Sequence, residues 1–264
     1  LFDEYKSDPL IRSIFAPHAP YSVPDEAFTK LNSYANELDL QVHIHVHESK
    51  DEIEGSMNEY GMRPLERLEK LGLVNPNLIA VHMTQLTSEE IALIADAGVN
   101  VVTCPESNLK LTNGFCPTHE LLNKNVRLAI GTDGCASNDD LDMFSEMRTA
   151  ALVSKGVSQD PTAFSAQKAI QASTINAAHA LGLGDEIGSL EKNKSADIIA
   201  ISCDTVESLP MYDVFSHLVY STSRGRVCDA FVAGRQLLRD RTLTTISEDE
   251  IISKAHHWKD KLSQ

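Results

Sequence analysis

Short apolar runs and longer amphipathic stretches alternate along the first two-thirds of the chain. Aliphatic and β-branched residues at 41–47, 78–83, 100–105 and 126–132 run for the length of a strand, and 11–18 has a similar texture. Between them the spacing predicts helices over 25–38 (opened by Pro24), around 52–71, over 88–97 and over 117–122. Two more follow the last strand, at 141–154 and 161–181. Regular alternation of this kind implies parallel strands joined by right-handed helical crossovers. Turn residues at Gly98-Val99-Asn100 and from Gly131 to Gly134 punctuate it.

Beyond Gly182 the texture changes. A turn-rich stretch from Gly188 to Asp197 leads into a predicted strand at 198–202, and further strands are expected at 215–221 and 227–238. A helix over 247–262 closes the chain. The expected organisation is an α/β unit over residues 1–182, a small β-rich sandwich-like unit over 183–246, and a terminal helix over 247–264.

Three of the apolar runs stop at side chains able to bind metal or move protons: His45 with Glu48, then His82, then Asp133 in Gly-Thr-Asp-Gly. Functional groups at the C-terminal ends of successive parallel strands are how a (β/α)8 TIM barrel builds its active site. Five such strands are expected here against the eight that close a barrel, so the pattern reads as strands 4–8 only. At roughly 30 residues per strand–helix unit, the other three need about 90 residues upstream. An open five-stranded sheet also leaves two raw edges. The opening Leu-Phe-Asp-Glu-Tyr-Lys, without an initiator methionine, fits the expectation that the chain is the C-terminal part of a longer protein.

Charge narrows the function. With 23 Lys and Arg against 38 Asp and Glu, the net charge of −15 disfavours a nucleic-acid partner, which needs a basic face. No apolar run approaches the length of a membrane span, and no signal peptide opens the chain. The five cysteines show no C-x-x-C pairing, which points away from a disulfide framework and toward a reducing cytoplasm. Cys104 and Cys135 are read as packed small residues rather than nucleophiles.

Alternation places His43, His45 and His47 on one face of their strand. Alternate residues climb a strand by nearly ~7 Å, so the three cannot all bind one ion. The histidine nearest the mouth, His45, is the candidate; His43 and His47 are assigned to packing and to the loop. Imidazole and carboxylate ligands with an open position for water suit a hydrolytic zinc site, where bound water loses a proton near pH ~7. Glu48, not needed as a ligand, is free to shuttle protons. Glu106-Ser107-Asn108 and Ser137-Asn138-Asp139 either line the same mouth or cap the helices that follow. Arg63, in Arg63-Pro64 at the head of a helix, reads first as an exposed structural arginine and second as a group that recognises a substrate carboxylate.

The order His18 (in Pro17-His18-Ala19-Pro20-Tyr21), His45-x-x-Glu48, His82 and Asp133 resembles the amidohydrolase superfamily, and the Gly188 to Asp197 segment resembles that superfamily's entry into a C-terminal β-sandwich. Pro17 to Tyr21, Cys104 to Leu111 and Gly131 to Asn138 are similar, more narrowly, to the methylthioadenosine/S-adenosylhomocysteine deaminases. The resemblance implies a hydrolytic deaminase that uses one divalent metal, zinc foremost, on a small nucleoside substrate, with homo-oligomers common in the family. It implies His45 and Asp133 as metal ligands, with Asp133 also accepting a proton from the attacking water. Glu48 is implied as the acid that protonates the purine ring and moves protons to the departing ammonia. His82 would hydrogen-bond the activated water, and His18 would contact the nucleoside.

One departure stands out. The family's first-strand His-x-His pair of metal ligands has no counterpart, since His43-x-His45 belongs to the fifth-strand position. With His45 and Asp133 alone, metal binding is expected to be weak and the 264-residue chain by itself inactive. Guanine deamination and triazine dechlorination are the related alternatives; Glu48 favours deamination, because it can protonate a purine.

Overall fold

The computed structural model describes residues 2–263. A short helix α1 (Phe2–Tyr5) precedes α2 (Asp25–Leu38), whose first turn carries Asp25 and Glu26 against the helix dipole and whose C-cap Asp39 turns left-handed. Strand β1 (Val42–Val46) follows, then α3 (Lys50–Tyr60) and α4 (Pro64–Lys70). Strand β2 (Leu78–His82), α5 (Ser88–Asp96), β3 (Asn100–Thr103), α6 (Pro105–Lys110), α7 (Thr118–Asn123) and β4 (Arg127–Ile130) complete the alternation. The four strands form one parallel sheet in the order β1-β2-β3-β4. This parallel α/β arrangement is the one expected from the apolar pattern.

Every residue of β2 is buried, as suits a strand covered on both faces. Ile44, Leu78, Ala80, Val101 and Leu128 from the strands pack with Phe28, Leu65, Leu68 and Ile94 from the helices into one continuous core.

Three sequence expectations in this region need correction. The strand expected at 11–18 is reduced to a single parallel bridge from Phe15 to Val42. Pro17, which has no N–H to give a ladder, stops it there. The segment expected as one helix around 52–71 is two, because Gly61 closes α3 in the left-handed region (φ 67°) and Pro64 opens α4. The stretch 161–181 is likewise split.

After α8 (Cys135–Asn138) and α9 (Met143–Ser158), α10 (Ala166–Ser173) and α11 (Ile175–Ala180) meet at Thr174, which is non-helical.

The remainder builds a second, antiparallel sheet in the order β5-β6-β7-β8, from β5 (Ile198–Ile201), β6 (Val227–Val232), β7 (Arg235–Arg239) and β8 (Thr242–Leu243). Two more expectations change here. The strand expected at 215–221 is helix α12 (Val214–Tyr220). Asp213 caps it by accepting the Ser216 N–H (2.6 Å), and Val219 is buried in the core. Phe215 and Val219 repeat at i and i+4, a helical spacing that a segment as short as Val214–Tyr220 does not separate from a strand. The strand expected at 227–238 is a hairpin, with Ala233 (φ 48°) and Gly234 (φ 76°) as its two turn residues. A final helix, α13 (Glu248–Leu262), buries none of its residues. Among the described residues no helix is long and apolar enough to cross a membrane.

Candidate metal and proton-transfer site

The C-terminal ends of β1, β2 and β4 meet at one mouth. Ligand atoms of His45, His82 and Asp133 all lie within 4.8 Å of one another, and among the described residues no other group of three or more His, Cys, Asp or Glu side chains converges in this way. His82 thus joins the two residues expected as ligands.

Each side chain is aimed by a second contact. His45 Nδ1 donates to the His18 carbonyl (2.7 Å), and His82 Nδ1 donates to Asn108 Oδ1 (2.8 Å). These contacts hold each ring by Nδ1 and leave Nε2 as the nitrogen available to a metal, the arrangement that second contacts give metal-binding histidines. Asp133 Oδ2 accepts from Ser107 Oγ (2.6 Å) and Ser137 Oγ (2.8 Å), which leaves Oδ1 free. Burial works to raise the Asp133 pKa, but those two hydroxyls and the Gly134 N–H outweigh it, so the carboxyl stays ionised below its ordinary range. Two nitrogens and one carboxylate oxygen, all in their unprotonated forms, fit a zinc ion.

The backbone is strained at these strand ends. His47 (φ 54°), His82 (φ 76°), Met83 (φ 50°) and Asp133 (φ 64°) occupy the left-handed region without being glycine. Such outliers cluster where a side chain must be aimed.

Glu48 stands beside the cluster. Its Oε1 lies 3.8 Å from His82 Nε2 and accepts a hydrogen bond from Asn113 Nδ2 (2.9 Å). A cleft of about 370 Å³ opens there, lined by Tyr21, Glu48, Glu52 and Asn113 among others. His18 sits at its side, with Nδ1 2.8 Å from Ser22 Oγ and its ring edge-on to that of His45 at 5.4 Å.

The other candidates separate cleanly. His47 is fully buried, its Nε2 accepts the Leu65 N–H (3.1 Å), and burial depresses its pKa to about 4, so it is a neutral packing group. His43 is also held below its ordinary pKa by burial and then by His45. Arg63 makes a two-point ion pair with Glu90 (2.7 and 3.0 Å). Burial pushes the Cys104 thiol well up and the Cys116 thiol to about 12, which suits packing rather than nucleophilic chemistry.

Of the two polar triplets, Ser107, Asn108 and Ser137 face the site, while Asn138 and Glu106 serve the helices. Asn138 Nδ2 donates to buried Glu146 (2.5 Å), which also accepts the Glu106 N–H (3.2 Å). Asn113, Glu52 and Glu146 were not singled out from the sequence. Asn113-Gly114 reads there as an ordinary turn, and Glu52 as one of many acidic residues at a helix start.

The family described as "Amidohydrolase family" matches residues 2–237. A protein named 5-methylthioadenosine/S-adenosylhomocysteine deaminase from Teredinibacter turnerae is 49% identical over 99% of this chain and 59% of its own length. The chain spans about three-fifths of the length of the curated relatives it matches. A zinc-bound adenosine deaminase structure from Xanthomonas campestris superposes with a TM-score of 0.97 at 49% identity, covering 99% of this chain and 60% of that one. A zinc complex of atrazine chlorohydrolase from Arthrobacter aurescens gives a TM-score of 0.88 at 27% identity, over 97% of this chain and 57% of that one.

Proposed function

Because the chain belongs to the amidohydrolase family, we propose that it carries the catalytic residues of a metal-dependent adenine-nucleoside deaminase. The reaction converts a methylthioadenosine- or S-adenosylhomocysteine-type substrate, with water, into the inosine analogue and ammonia. The observation that carries the reading is the convergence of His45, His82 and Asp133 within 4.8 Å beside Glu48. The deaminase name of the Teredinibacter turnerae relative and the zinc in the Xanthomonas campestris structure support it.

His45 and Asp133 hold the ion in this reading, with His82 as a third donor within reach. Zinc bound there supplies Lewis acidity that makes water a nucleophile near neutral pH. Asp133 would take the water's proton on the carboxylate oxygen that it does not give to the ion. Glu48, steadied by the Asn113 amide, would give one proton to the purine ring nitrogen and relay to the departing amine one of the two protons that the attacking water loses, the other restoring Glu48 by way of Asp133. His82, held by Asn108, keeps its Nε2 toward the reacting oxygen. His18 contacts the nucleoside from the edge of the mouth.

The fold assignment that accompanies this reading gives residues 1–182 strands 4–8 of a (β/α)8 barrel, with the Phe15 bridge as the remnant of the first of these. Residues 183–246 are assigned to the sandwich part, and the terminal helix expected over 247–264 corresponds to α13, Glu248–Leu262. Five free cysteines fit a reducing, cytoplasmic setting.

The test is zinc content by elemental analysis together with ammonia release from methylthioadenosine and S-adenosylhomocysteine. Bound zinc with ammonia release is expected of a version that carries all eight barrel strands, whereas the 264-residue chain alone, without the first-strand ligand pair, should hold zinc weakly and release no ammonia. Zinc-loaded protein that releases chloride from a triazine but no ammonia from either nucleoside would move the assignment to the dechlorinating branch.

A further inference from the structure

Among the described residues three helices begin with the same four-residue signature, a hydroxyl N-cap followed three residues later by glutamate. They are Ser49-Lys50-Asp51-Glu52 at α3, Thr87-Ser88-Glu89-Glu90 at α5 and Ser247-Glu248-Asp249-Glu250 at the exposed α13, where Ser247 Oγ accepts the Glu250 N–H (3.3 Å). At α5 the signature forms a reciprocal capping box, in which Glu90 accepts the N–H of the N-cap Thr87 (2.8 Å) while Thr87 Oγ1 accepts the Glu90 N–H (3.3 Å). At α3 half of the box is present, since Ser49 Oγ accepts the Glu52 N–H (3.3 Å). The other half goes elsewhere. Glu52 passes over the N-cap and accepts the N–H of Glu48 at Oε2 (2.7 Å) and that of His47 at Oε1 (3.1 Å).

That displacement has a consequence. Residues 47 and 48 form the turn that leaves β1, with His47 in the left-handed region. Thr84 Oγ1 holds the carbonyl side of the same turn by donating to Glu48 O (2.7 Å). The Glu48 backbone is thus pinned at its N–H by a buried carboxylate and at its C=O by a hydroxyl, and its side chain is pinned by Asn113. An ordinary cap would stabilise the helix without touching the turn.

We propose that Glu52 is a positioning residue, which fixes the backbone of the 47–48 turn and through it aims the Glu48 carboxylate at the substrate ring. The inference rests on the reading of Glu48 as the proton donor. Misplacing a catalytic group by about 1 Å costs on the order of 100-fold in rate.

The experiment compares wild type, Glu52→Gln, Glu52→Ala and Thr87→Ala. Thr87→Ala breaks the ordinary capping box and reports the effect of losing a helix cap alone. In zinc-loaded protein carrying all eight barrel strands, Glu52→Ala should lower kcat about 10- to 100-fold with KM changed less than about threefold, because an interaction needed in the transition state is lost. Glu52→Gln, which keeps one acceptor oxygen, should restore part of that loss. Thr87→Ala should lower Tm by a similar amount to Glu52→Ala while leaving kcat as in wild type. Hydrogen–deuterium exchange supplies a readout independent of turnover: Glu52→Ala should expose the His47 and Glu48 amides and leave β2 protected. Protection of those amides in Glu52→Ala equal to wild type overturns the clamp, whatever the turnover. An unchanged kcat in Glu52→Ala, or an equal kcat loss in Thr87→Ala, overturns the positioning role. No ammonia release by zinc-loaded wild type carrying all eight barrel strands overturns the deaminase reading instead, and the exchange data then decide the clamp alone.

Discussion

The two sheets of this chain are built on opposite terms. In the parallel sheet β2 is buried along its whole length, and the polar groups at the strand ends are tied to one another by short, charge-assisted or tautomer-fixing hydrogen bonds. In the antiparallel sheet no residue of β5 to β8 is fully buried, and β5 leaves Ile198 and Ile199 39% and 52% exposed. The second unit is fastened to the first by a few specific contacts: Val219 of α12 in the core, Arg148 Nη2 on the Thr222 carbonyl (2.9 Å), and the Arg224 N–H on Asp142 (3.3 Å). The difference teaches where function can reside. A site needs side chains locked in one rotamer by packing and second contacts, and only the parallel sheet supplies that.

The sharpest break in the comparison comes at the mouth. On the proposed reading Asp133→Asn removes a ligand and the proton acceptor together, so in the protein carrying all eight barrel strands zinc should be lost on dialysis and deamination should fall by roughly 1,000-fold or more, read by elemental analysis and ammonia release. Glu48→Gln should keep zinc and lose on the order of 100- to 10,000-fold in kcat, the range typical of a missing general acid. Retained turnover in Glu48→Gln would point away from ring protonation by this residue.

How far the sequence reached follows the same division. The ends of β1, β2 and β4 were legible because an apolar run that stops at His or Asp carries both the strand and the ligand in consecutive residues. The clamps were not. Ser107 and Asn108 reach Asp133 and His82 across 26 residues each, and Glu52 reaches backward past its own N-cap. No local pattern distinguishes those side chains from ordinary caps. In the second unit the failures were local instead. Ala233 is not a residue that announces a tight turn, so β6 and β7 read as one strand, and the seven residues of α12 are too few to separate a helical from a strand period.

Stability should divide in the same way. Leu78→Ala in β2 truncates a side chain that is 1% exposed, and should cost about 2–5 kcal/mol in chemical denaturation.

Acidity adds a smaller effect with a definite sign. Burial raises Glu146 from its ordinary 4.5 to about 8 and Glu52 to about 7. The folded state therefore holds protons that the unfolded state releases above pH ~4.5. Their contribution to stability is greatest at low pH, falls as pH rises between about 4.5 and about 8, and levels off above that. A loss on the order of 1–3 kcal/mol across the window is expected for wild type. Glu146→Gln should flatten part of the slope, and Tm measured at pH 6 and pH 8 checks it.

The smallest effect is the most diagnostic for the comparison. Ile199 in β5 keeps about half its surface in water (52% exposed), so Ile199→Ala forfeits only the buried half of its transfer energy and opens no closed cavity. The cost should be roughly 1 kcal/mol or less, well below that of Leu78→Ala. The ratio of the two tests the division between the sheets, because it depends on how much water each side chain meets in solution. A cost for Ile199→Ala of roughly 2 kcal/mol or more would mean that the face of β5 is covered in solution. The contrast between the two sheets would then be one of what lies against them rather than of how each is built.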